Sequence, residues 1–191
     1  MSTSQDASAP PDEGTPRNFE APRNHADLRS YEDIRNLKAD YFRHLDAKRW
    51  PELRALFTAD AMFGGFPFAA NDADGFISAV SGFLNGVESV HQGFMPRLAL
   101  TGDGGIRGIW SMHDYLVWPP DSRPYRGASI PGLYGIRGYG LYEEEYRRPD
   151  GRWRIAAMRL VRTRIDLLVD QPVQLPPQGF GAPDPDWIPG A

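Results

Sequence analysis

The chain reads as an α+β protein in which a cone-shaped, curved antiparallel sheet wraps around three N-terminal helices. Three observations carry this. Apolar residues recur at helical spacing up to about residue 86 and at strand-like spacing after it. Gly- and Pro-rich turn signals punctuate the later part, at 102–105, 119–131 and 149–151. The long runs between them have no helical segments among them, so helices and strands segregate. With 191 residues, the chain can bury the core of one domain.

Residues 1–28 read as a flexible arm, because Pro10, Pro11, Pro16 and Pro22 break helix. The domain proper then spans 29–170. A first helix is expected over 31–47, with Ser30 as cap and Asp33 three residues on. Ile34, Leu37, Tyr41 and Leu45 form its buried stripe, and Arg35, Lys38 and Arg43 lie off it. Pro51 opens a second, short helix with Leu53, Leu56 and Phe57 inward. Thr58-Ala59-Asp60 reads as a turn and Ala61-Met62-Phe63 as a short strand, broken at Gly64-Gly65-Phe66-Pro67. Asn71 or Asp72 caps a third helix carrying Phe76, Ile77, Val80, Phe83 and Leu84.

Four strands follow, over 87–101 with an interruption at Pro96, then 106–118, 133–148 and 153–169. A sheet folded over helices leaves one open mouth, a usual place for a small-molecule site. Residues 171–191 hold six prolines and read as an extended tail, in which Phe180, Trp187 and Ile188 suggest docking on this subunit or a neighbour.

Composition excludes several functions. Net charge is -4, from 21 basic and 25 acidic residues, with no long basic run for nucleic acid. Arg152, Arg154, Arg159, Arg162 and Arg164 share one strand and so divide between its two faces. Cysteine is absent, which removes disulfides, thiolate nucleophiles and Cys-based metal sites. No pair among His25, His44, His91 and His113 has metal-ligand spacing, so no metal is expected. The glycines fall in antiparallel hairpins, which argues against a dinucleotide cofactor. No apolar stretch reaches the roughly 20 residues of a membrane helix, and residues 1–22 do not resemble a signal peptide. Cytoplasmic is the default expectation.

Four polar residues stand in otherwise apolar segments: Tyr41, Asp46, His91 and Arg162. Asp46 follows Tyr41 by five residues, well out of phase on a helix of about 100° per residue, so the two share a cavity only where the helix ends. His91, between Val90 and Gln92, reads equally as a core histidine with one hydrogen bond. Strict alternation puts Leu160, Arg162 and Arg164 on one strand face and Val161, Thr163 and Ile165 on the other. Exposed arginines remain the plain alternative, since a buried one needs an anionic or carbonyl partner.

Several segments carry a resemblance. They are Tyr41-Phe42-Arg43-His44-Leu45-Asp46-Ala47-Lys48 with Trp50 and Leu53, Val90-His91-Gln92-Gly93, and the Gly-x-Trp-x-x-x-Asp strand from Gly108 to Tyr115. Gly140-Leu141-Tyr142, Asp150-Gly151-Arg152-Trp153 and Val161-Arg162 continue the series. In this order, over about residues 30–168, they resemble SnoaL-like proteins of the nuclear transport factor 2-like (cystatin-like) superfamily. Within it the pattern is most similar to bile-acid 7-alpha-dehydratase and, more distantly, scytalone dehydratase.

The resemblance implies that Tyr41, Asp46, His91 and Arg162 are catalytic, and that Trp110, Met112, Tyr142 and Arg164 bind substrate. It implies a cofactor-independent lyase, foremost a dehydratase of a hydrophobic hydroxylated ring or aromatic compound. Retro-aldol release of formaldehyde from a lignin-type diaryl compound, isomerisation and cyclisation need the same groups and remain open. So does a non-catalytic role as a small dioxygenase subunit or binding module. Relatives imply a homo-oligomer, a trimer in preference to a dimer, with the C-terminal tail packing on a neighbour.

Overall fold

The computed structural model describes residues 22–170. The readings made for 1–21 and 171–191 lie outside the described residues.

Helix α1 spans His25–Asp46 and so begins earlier than expected. Its cap is Asn24, whose side chain accepts from the backbone N–H groups of Ala26 and Asp27 at 2.9 and 3.0 Å. Ser30 is interior, and its hydroxyl donates back to the Ala26 carbonyl. The first helical turn thus consumes residues that read as arm, because Asn24 satisfies the free N–H groups six residues sooner. Tyr31, Ile34, Lys38, Tyr41 and Leu45 are buried. Lys38, expected off the stripe, is fully enclosed.

Helix α2, Trp50–Ala55, carries Pro51 in its first turn and buries Leu53. Strand β1, Phe57–Gly64, replaces the expected turn at 58–60. It pairs parallel with the last strand, and the register slips between Phe57↔Ile155 and Met62↔Ala157. The turn-like residues therefore form a bulge inside a strand rather than ending one. Helix α3, Ala73–Phe83, is capped by Asp72, which accepts from Gly75 N at 2.7 Å.

Strands β2 (Glu88–Leu100), β3 (Ile106–Val117), β4 (Gly135–Arg147) and β5 (Arg154–Leu168) complete one sheet in the order β1-β5-β4-β3-β2. All pairings but β1–β5 are antiparallel. Pro96 sits in a slip of the β2–β3 register, where a missing N–H is tolerated. Burial alternates with period two along β3 and β4, so one sheet face carries the core and the other does not.

The core lies between that face and the helices. Phe63 stacks on Phe76 at 4.1 Å, and Phe57, Phe66 and Phe68 pack around them. Deeper, Lys38 Nζ donates to Glu144 Oε1 at 2.5 Å with both side chains fully enclosed. The ammonium also lies 3.9 Å from the ring centres of both Tyr41 and Tyr142. Tyr146 donates to Glu144 Oε2 and accepts from Trp110 Nε1 at 2.8 Å, which completes a closed polar cluster.

Candidate active site

Helix α1 ends at Asp46, and its ending aims that carboxylate at β2. The backbone turns through Ala47 into Lys48 at φ 57°. Asp46 Oδ1 then meets His91 Nδ1 at 2.7 Å, and Oδ2 accepts from the His91 backbone N–H at 2.7 Å. Ser89 Oγ donates to Oδ1 at 2.8 Å, and Lys48 Nζ donates to Ser89 Oγ at 2.5 Å. With a carboxylate at Nδ1, the ring carries its proton there and leaves Nε2 as the basic nitrogen.

Tyr41 faces the same interior from one helical turn earlier. Its ring and that of Tyr142 on β4 meet edge-on at 6.0 Å. Burial, foremost, pushes both phenols above the ordinary value, so both remain O–H groups at neutral pH.

Arg162 on β5 reaches under β4. Nη2 donates to Asp114 Oδ2, and Nη1 lies 3.8 Å from Met112 Sδ. Asp114 is 1% exposed. Burial opposes the Arg162 charge, but the hydrogen bond and negative charge of Asp114 outweigh it and raise the guanidinium pKa. Asp114 sits beside His91 in the β2–β3 ladder and beside Gly138 in the β3–β4 ladder. A Cβ at Gly138 would overlap both Arg162 Nη1 and Asp114 Oδ1, so glycine opens the space in which the pair meets. Among the described residues, Asp114 Oδ1 has no hydrogen-bond partner.

These groups face one cavity of about 620 Å³, lined by Tyr41, His91, Asp114, Tyr142 and Arg162 on its polar side. Phe66, Phe68, Val80, Leu84, Leu116, Ile136 and Leu160 supply the apolar walls. Such a volume suits a drug-sized apolar molecule. The loop after β3 contributes Arg123, Pro124 and Tyr125, and Arg123 ties it down by donating to the Phe83 and Asn85 carbonyls.

Of the residues expected to be catalytic, Tyr41, His91 and Arg162 line the cavity. Asp46 does not, and reaches it through His91. That resolves the phase problem on α1: Tyr41 points inward, and Asp46 leaves the helix end toward a neighbouring strand. Of the expected substrate contacts, only Tyr142 lines the cavity.

Trp110 is turned into the core, where its indole N–H is used by Tyr146. Met112 lies behind Arg162. Arg164 faces outward over Tyr139 and pairs with Asp166 at 2.6 Å. The reason is a bulge at Thr163: Tyr139 pairs with Arg164 and Gly140 with Arg162, which inverts the alternation and puts Ile165 in the cavity instead. Asp114 is the residue that the sequence reading passed over. Its signal was present as the acidic end of the Gly-x-Trp-x-x-x-Asp run, in phase with inward Trp110, Met112 and Leu116.

The family model for the SnoaL-like domain matches residues 26–159. Among solved structures, a type 2 hexachlorocyclohexane dehydrochlorinase (LinA) is similar, with a TM-score of 0.63 and 19% identity over 80% of this chain and 97% of that one. A protein from Novosphingobium aromaticivorans named for scytalone dehydratase gives 0.61 and 20%, over 81% and 97%. ActVI-ORFA from Streptomyces coelicolor gives 0.55 and 18%, over 71% and 98%. These likenesses establish a shared fold.

Proposed function

The chain belongs to the SnoaL-like domain family, and from that premise we propose that it is a cofactor-independent lyase. The reaction is acid/base dehydration of a hydrophobic ring or aromatic compound that bears a hydroxyl and a carbonyl or phenol. One observation carries this reading: an Asp46–His91 pair with the imidazole presented to an apolar cavity that also holds Tyr41, Asp114 and Arg162. A purely structural module has no need of that set. The names of two similar structures, a dehydrochlorinase and a scytalone dehydratase, are those of elimination enzymes and support the class.

His91 Nε2 takes the proton from the carbon next to the carbonyl. The C–H electron pair forms the double bond as the C–O bond breaks. Tyr41, and Tyr142 behind it, donate a hydrogen bond to the carbonyl or phenol oxygen where charge develops. Arg162 binds the departing oxygen, and Asp114 holds Arg162 in place. The imidazolium of His91 returns its proton to the departing hydroxyl, which leaves as water. Asp46 keeps the ring in the productive tautomer and stabilises its charged form. Positioned groups of these kinds contribute about 10²–10⁴-fold each.

The test is mass spectrometry of hydroxylated steroids, bile-acid thioesters and lignin-derived diaryl compounds after incubation with the protein. A product lighter by water, lost in His91→Ala, supports the reading. A product lighter by formaldehyde assigns the same base to carbon–carbon cleavage. Undiminished turnover by His91→Ala refutes the role of His91.

A further inference from the structure

Asp46 is itself held from outside the cavity. Ser89 Oγ donates to Asp46 Oδ1 at 2.8 Å, and Lys48 Nζ donates to Ser89 Oγ at 2.5 Å. Lys48 does not line the catalytic cavity; it faces an adjoining hollow, beside Trp50, Glu88 and Tyr115. A four-group chain therefore runs through the wall of the protein, from that hollow to the His91 ring.

The hydrogen bonds in this chain all point toward Asp46. A protonated lysine can only donate. Ser89 must then accept from Lys48, so its one proton goes to Asp46. The Asp46 carboxylate can only accept, and it accepts from Ser89 Oγ, from the His91 backbone N–H and from the ring at Nδ1. His91 Nδ1 is thereby compelled to carry the ring proton. Without the lysine's charge, the Ser89 hydroxyl is free to turn toward Nζ or water, and the carboxylate loses one of the three contacts that hold it against the ring.

The backbone supplies a second, independent observation. Lys48 stands directly after the C-cap of α1 with φ 57°, in the left-handed region. Glycine fills that position without strain and is the usual choice there. A long side chain at a strained position is accounted for by what the side chain reaches, here Ser89.

We infer that Lys48 and Ser89 are positioning residues that hold the Asp46 carboxylate against His91 and so strengthen its grip on the ring tautomer. This rests on reading His91 as the base, but it makes a claim about the resting protein that needs no substrate. Neither residue lines the catalytic cavity, so both act through Asp46.

The experiment is ¹⁵N NMR of the imidazole nitrogens in the full-length, uniformly labelled protein without ligand, above the pH at which the rings are neutral. His91→Gln assigns the signal. Wild type and Lys48→Arg are expected to show His91 as the Nδ1–H form. Lys48→Met and Ser89→Ala shift the population toward the Nε2–H form by roughly three- to tenfold, the worth of one hydrogen bond.

Ser89→Ala leaves the left-handed turn untouched and decides the question if Lys48→Met does not fold. Spectra of Ser89→Ala that superimpose on wild type overturn the inference. So does a Lys48→Arg protein that is folded yet behaves like Lys48→Met. Wild-type turnover by His91→Ala refutes the base assignment instead, and leaves the tautomer result standing.

Discussion

Asp46 grips His91 at two points, one carboxylate oxygen on the ring Nδ1 and the other on the backbone N–H, each at 2.7 Å. A helix end is thereby fastened to the second strand of the sheet, and a base is oriented by the same contact. Replacement by the nearly isosteric asparagine keeps the shape but offers an amide where the ring needs an acceptor. Asp46→Asn is expected to fold and to lose about 10²–10⁴-fold in kcat. Thermal melting with steady-state kinetics checks both halves.

Gly138 tests the Asp114–Arg162 pair from behind. An added methyl group overlaps both side chains, and neither is free to yield because each is held by the other in a confined site. Gly138→Ala is expected to cost about 1–3 kcal/mol of stability, as overpacking does. Turnover falls with it, because Arg162 is displaced from the cavity wall. Retention of full activity at an unchanged melting temperature would show that the pair relaxes freely.

The enclosed Lys38–Glu144 pair makes a prediction about stability alone. Lys38→Met strands a buried carboxylate and Glu144→Gln a buried ammonium, and each single change is expected to cost about 3–5 kcal/mol. The double replacement leaves no charge uncompensated and should cost well under the sum of the two. Denaturant titration of the four proteins closes the cycle, and simple additivity would mean the two residues do not act as a pair.

Buried phenols make the protein sensitive to alkali, Tyr41, Tyr142 and Tyr146 foremost. Burial, the largest cause in each case, raises the pKa of Tyr41, Tyr142 and Tyr146 above the ordinary 10.0. Above that pH the unfolded chain releases these protons while the folded chain keeps them. The unfolded state then binds fewer protons, and stability falls as pH rises, by up to about 1.4 kcal/mol per unit for each phenol.

Lys38 works the other way, since burial lowers its pKa from 10.5. Between that lowered value and 10.5 the unfolded chain holds more protons, so stability gains with pH, and the gain is complete at 10.5. The melting temperature should therefore drop progressively above about pH 10. Tyr146→Phe should show a shallower drop, and an identical slope would remove Tyr146 from the account.

The helices, the strands and their order were legible because each rests on short-range signals. Helical or alternating periodicity, Pro51 in a first turn, Asp72 as a cap and the Gly102–Gly105 turn are written locally. The start of α1 was misjudged because Asn24 and Ser30 are both good caps by composition. Asn24 prevails through its cap, which accepts from the backbone N–H groups of Ala26 and Asp27, while Ser30 turns its hydroxyl back to the Ala26 carbonyl. Lys38 was misplaced for a related reason: charge predicts exposure unless a partner such as Glu144, far away in the chain, is brought to it.

The segregated α+β order, the family pattern and the standing of Tyr41, Asp46, His91 and Arg162 as polar residues in apolar surroundings were all written in the residues. Which of them meet was settled by packing between distant segments. Asp46 reaches His91 because a helix end lies against β2, and Arg162 reaches Asp114 because Gly138 leaves room between their strands. A single bulge at Thr163 sent Arg164 outward and Ile165 inward, against the alternation the residues suggest. Side-chain direction in a strand depends on register with its neighbour, and register is set by pairing between segments far apart in the chain, which no local pattern records.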